Sequence, residues 1–118
     1  MTADAQRVGE TQGRSVPQAL LDDLVRRVLD AAHPLRIILF GSAAKGTMGP
    51  DSDIDLLVVV SDGTPCRQIS RALYVGNIGF GFATDFVVAT EHDLLAHASD
   101  PGSILPTALE EGRVLYVR

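Results

Sequence analysis

The stretch ILFGSAAKGTMGPDSDIDLLVVV, residues 38–60, decides how this chain reads. An apolar run stops at Gly41-Ser42. Eleven residues after Ser42 comes Asp53, then Asp55 two places on, at the mouth of a second apolar run. In a strand, alternate residues share a face, so the pattern sets Asp53 and Asp55 on one face with Cα atoms roughly 6 to 7 Å apart. Two carboxylates so placed repel each other unless a cation lies between them, and oxygen-only ligands suit Mg²⁺. A polar turn accounts for Asp51 and Ser52. It accounts poorly for Asp55, which lies past Ile54 and abuts Leu56-Leu57-Val58.

Gly41-Ser42 adds a second feature. A glycine after a strand lets the backbone turn sharply, and a helical turn opening at Ser42 through AAK would offer N–H groups to phosphate. Lys45 lies one turn along and can add a point charge. A plain strand-to-helix connection would use Gly-Ser equally well. The phosphate cradle and the carboxylate pair together favour a site for a metal and a nucleotide more than either does alone.

Working outward, the pattern alternates helix and strand, with no repeat and no low-complexity tract. Residues 1–14 read as a disordered leader, and residues 15–118 as one domain. Ser15 and Gln18 have capping-box spacing, and Leu20, Leu21, Leu24, Val25 and Val28 form one stripe of a helix over 16–32. Strands are expected at 35–40, 53–60 (nearly all apolar, hence central), 83–89 and 114–117. Helices are expected over 65–76, with Ile69, Ala72 and Leu73 inward, over 91–97 capped by Thr90, and within SILPTALEEG (103–112). The expected fold is α/β, a small mixed sheet flanked by helices.

Composition excludes several classes. The chain has 118 residues and 46% apolar content, ordinary for one globular domain. No apolar run approaches the roughly 18 residues of a membrane span. The polar N-terminus lacks a signal-peptide segment, so the expected compartment is the cytoplasm. Cys66 is alone, which excludes an internal disulfide framework. A net charge of −5, with Lys45 and nine Arg as the cations, argues against nucleic acid as a direct substrate.

Three motifs mislead. GSAAKGT has two glycines at P-loop spacing but no Lys follows the second. DSDIDL opens like a calcium-binding EF-hand loop, yet Leu56 holds the glycine position and Asp62 the closing Glu position. GNIGFG (76–81) precedes a strand and reads as a helix stop. His33, His92 and His97 read as surface residues.

GSAAKGTMGPDSDIDLLVV (41–59) resembles the signature of the polymerase-beta-like nucleotidyltransferase superfamily: Gly-Ser, ten residues, Asp-x-Asp. The chain from about residue 16 onward is similar to its smallest members, the minimal nucleotidyltransferases, including the ending ALEEGRVLYVR. The resemblance implies that Gly41 and Ser42 hold a nucleoside triphosphate and that Asp53 and Asp55 bind two Mg²⁺ ions. It also implies a third acid on a neighbouring strand, and Asp85 in ATDFVVA is the matching position. Lys45 stands where the family often has Arg, keeping the charge without bidentate geometry.

Minimal members are commonly paired with a small helical HEPN-type toxin, so the resemblance implies such a partner. The leading expectation is Mg²⁺-dependent transfer of AMP from ATP onto a hydroxyl of that partner, as an antitoxin. The alternative is an antitoxin or binding module with an idle site, acting by steric contact. Small-molecule transfer ranks third, because 118 residues leave little for an acceptor-gripping domain.

Overall fold

The computed structural model describes residues 16–49 and 52–118. The expected leader (1–14), the cap at Ser15 and the turn residue Asp51 lie outside the described residues. In chain order the elements are α1 (Gln18–Ala31), β1 (Arg36–Phe40), α2 (Gly41–Lys45), β2 (Ile54–Val60), α3 (Cys66–Gly76), β3 (Thr84–Thr90), α4 (Glu91–Ala96), α5 (Leu105–Glu111) and β4 (Arg113–Val117). The sheet order is β3-β2-β1-β4. β1 runs antiparallel to both β2 and β4, whereas β2 and β3 are parallel. The sheet is therefore mixed, as expected, and β2 is central.

The apolar continuity of β2 follows from burial on both faces. Ile54, Leu56, Val58 and Val60 join Leu21, Leu24 and Val28 of α1 and Leu73 of α3 in one core. Leu57 and Val59 face the other way, toward Leu94 of α4 and Leu105 and Ala108 of α5. Asp55 has the same parity as Leu57 and Val59, so it belongs to the α4/α5 face. Phe40, its partner across β1, and Asp85, its partner on β3, lie beside it. One end of the sheet thus gathers the close of β1 and the starts of β2 and β3.

Several boundaries differ from the expectation. Asp53 falls just outside β2, which begins at Ile54. The Ile54 N–H donates to the Ala83 carbonyl (2.9 Å), tying the lead-in of β2 to that of β3. The N-cap of α1 is Pro17, which offers no side-chain cap, and the expected Ser15–Gln18 pair falls partly outside the described residues. Gln18 donates to Asp22 (2.9 Å) and accepts from Arg113 (3.0 Å). GNIGFG stops α3 as expected, and Arg27 clamps that turn by donating to the Gly76 and Ile78 carbonyls (3.3 Å each). Its guanidinium lies 5.5 Å from the Phe80 ring centroid, so Phe80 is held inward while Phe82 stays exposed. Among the described residues no helix is long and apolar enough to cross a membrane.

Thr90 ends β3 and caps α4 through a reciprocal pair. Its hydroxyl accepts from the Asp93 N–H, and Asp93 accepts from the Thr90 N–H, both at 3.0 Å. Thr90→Ala should cost about 1 kcal/mol in urea unfolding, with Thr90→Ser recovering most of it. An unchanged midpoint would mean that Leu94 packing alone holds α4.

Candidate active site

Gly41 opens the site. Its φ of +72° lies in the left-handed region, so the chain leaves β1 and enters α2 with no intervening loop. A Cβ at this position would fall on Oδ2 of Asp55 and within 3.3 Å of its Cγ. Glycine is needed for the turn, and its missing Cβ also lets the Asp55 carboxyl keep its present position. The single turn of α2 closes on the Ser42 carbonyl, which accepts from Gly46 and Thr47. Gly46 is again left-handed (φ +71°), so the helix stops after one turn. Phe40 precedes α2 and offers it no side-chain cap. The leading N–H groups of such a turn have no partner within the helix. Ser42 is half-buried, and Ala43 anchors the turn in the α1-side core.

Three carboxylates lie at this end of the sheet. Asp55 is half-buried, and Asp53 and Asp85 are exposed. Burial pushes the Asp55 carboxyl above the ordinary value of 3.8, and the negative charges of Asp85 and Asp53 push it further. The three expected acids are thus electrostatic neighbours. They do not form a closed ligand cluster: among the described residues no group of three or more His, Cys, Asp or Glu side chains is placed to hold a metal ion. The donor set is all oxygen and carries several negative charges. Both features suit a hard divalent cation such as Mg²⁺.

Lys45 points elsewhere. Its Nζ lies 3.2 Å from Oε1 of Glu111 on α5, with both side chains more than half exposed. An exposed pair of this kind contributes only about 0.2–1 kcal/mol, so a phosphate could displace it.

Sequence reasoning missed Tyr74. From α3 its hydroxyl donates to Oδ1 of Asp85 (3.4 Å) and accepts from the Phe86 N–H (3.1 Å). Its ring meets Phe86 edge-on, with centroids 5.1 Å apart. The available signal was a tyrosine beside buried Leu73, since a phenol at the margin of a core seeks a polar partner.

The raised Asp55 value has a sign. Its folded state holds the proton more tightly than the unfolded state, so its contribution to stability is present below about 3.8 and is lost as pH rises through the higher folded value. Asp55→Asn should therefore melt above wild type at neutral pH without divalent cation, and the gap should close as pH falls below 3.8. A variant that melts lower at neutral pH would contradict this. Gly41→Ala should destabilise the fold, and pairing it with Asp55→Ala should recover part of the loss, the backbone strain remaining.

Comparison with known proteins bears on the same residues. The nucleotidyltransferase domain family matches residues 19–101, a span that contains Gly41, Ser42, Lys45, Asp53, Asp55 and Asp85. The fold is similar to the crystal structure of a presumed nucleotidyltransferase from Sulfolobus solfataricus, with a TM-score of 0.57 over 85% of this chain and 79% of that one. The identity is 19%, so this likeness speaks to the fold alone. Comparison with curated proteins gives no match. The family match covers well over half of the chain and includes the whole glycine–carboxylate constellation; the chain belongs to the nucleotidyltransferase domain family, whose general chemistry is nucleotidyl transfer.

Proposed function

We propose that the protein moves a nucleoside monophosphate, AMP from ATP, onto a hydroxyl of a protein partner, with Asp53, Asp55 and Asp85 holding Mg²⁺, two ions in all. The observation that carries this reading is the Asp55 carboxyl lying against Gly41 while Asp55 pairs with Asp85 across the parallel β2–β3 register. In this reading the backbone at Gly41 and Ser42 binds the triphosphate, and Lys45 leaves Glu111 to add positive charge. Mg²⁺ when bound neutralises charge on the triphosphate and on the departing pyrophosphate. Asp85, exposed at the start of an edge strand, takes the proton from the acceptor hydroxyl.

A protein acceptor is supported by exposed apolar side chains on the segment that runs from Tyr74 to the start of β3. Val75 (62% exposed), Ile78 (77%) and Phe82 (43%) present apolar side chains along the end of α3 and the turn leading into β3. Exposed apolar side chains on such a segment favour protein contact. A small helical HEPN-type toxin as the partner, and a cytoplasmic setting, rest on the family resemblance and on the sequence. One second reading has an observation in its favour. Lys45 is engaged by Glu111 and the carboxylates form no closed cluster, as an idle antitoxin acting by steric contact would allow.

Mass measurement of a co-expressed partner separates the two. Transfer predicts one added nucleoside monophosphate with the wild type and none with Asp53→Asn. Inhibition of the partner by Asp53→Asn, with no added mass in either case, would establish the steric reading.

Role assignments can be tested in the same assay. Asp85→Ala should lower kcat by about 10² or more, the usual contribution of a positioned base. Ser42→Ala should mainly raise KM for the nucleotide, with a milder change in kcat. Small and equal effects at both positions would contradict these roles.

A further inference from the structure

A hydroxyl of this chain already faces the third carboxylate. α3 packs on the face of the sheet opposite Asp85, yet Tyr74 reaches round the β3 edge to it. Its oxygen accepts from the Phe86 N–H (3.1 Å), and its proton is directed at Oδ1 of Asp85 (3.4 Å). The carboxylate is placed to receive the proton if the phenolic oxygen forms a bond, and the N–H fixes the direction of that oxygen. The second lone pair of that oxygen remains available. The side chain is not sealed in the core, since Tyr74 is 45% exposed, while its edge-on contact with Phe86 holds the ring in place. A hydroxyl within reach of the base is the arrangement an acceptor must adopt.

We propose that Tyr74 is itself an acceptor, so that the protein nucleotidylates its own chain. The phenolic oxygen forms a bond to the α-phosphorus of the nucleoside triphosphate. The bond from that phosphorus to the bridging oxygen breaks, pyrophosphate leaves with the electron pair, and the phenolic proton passes to Asp85. The product is a phosphodiester joining Tyr74 to the nucleoside. This inference rests on the nucleotidyl-transfer reading above and adds a specific acceptor to it.

The test incubates the purified full chain with α-labelled ATP and Mg²⁺, followed by intact-mass measurement and peptide mapping. One added nucleoside monophosphate located on Tyr74 is the expected result, with label falling to background in Tyr74→Phe. Mapping on the wild type does not depend on how the variant folds. Label on another residue, or label that persists in Tyr74→Phe, overturns the proposal. A wild type that stays unlabelled while binding Mg²⁺–ATP and labelling a separate acceptor protein also overturns it and leaves the transfer reading standing. A chain that binds no Mg²⁺–ATP removes both.

Discussion

Contact between the Asp55 carboxyl and the backbone of Gly41 is the constraint on which the site depends. A Cβ at position 41 would collide with that carboxyl and the chain turns there with a positive φ, so the residue that follows β1 is glycine. That turn sets α2 against the start of β2, and the parallel pairing of β2 with β3 brings Asp85 alongside Asp55. Three acids are crowded at one end of a sheet whose interior is otherwise apolar on both faces. The arrangement raises the Asp55 carboxyl and opposes stability at neutral pH. A fold selected for stability alone would not place a half-buried carboxylate between two others.

Much of this was legible because local spacing encodes it. The break at Gly41, the unbroken apolar run of β2 and the lone acid in ATDFVVA each announce themselves within a few residues. The Thr90 cap was also legible, since a cap needs only its own neighbours, and Asp93 supplied the reciprocal half. Gln18 shows the limit of the same logic, since its contact with the distant Arg113 is announced by no local spacing.

What could not be read locally depends on the order of the strands. Tyr74 meets Asp85 only because β3 is an edge strand, and its outward N–H at Phe86 needs a partner from α3. Lys45 meets Glu111 because α5 packs near α2 from the far end of the chain. Asp53 was expected inside the strand, whereas β2 begins one residue later, where Ile54 pairs with the Ala83 carbonyl. Asp55 and Asp85 pair across two strands, and Asp53 stands on the lead-in just before β2.

The most direct measurement is anomalous diffraction from crystals grown with Mn²⁺ and a non-hydrolysable ATP analogue. Mn²⁺ is a hard, oxygen-seeking stand-in for Mg²⁺ with an anomalous signal. The account predicts metal peaks bonded to Asp53, Asp55 and Asp85, with the analogue's triphosphate at Gly41 and Ser42. Metal and triphosphate bound elsewhere, or no metal contact to Asp55 at saturating Mn²⁺, would contradict it.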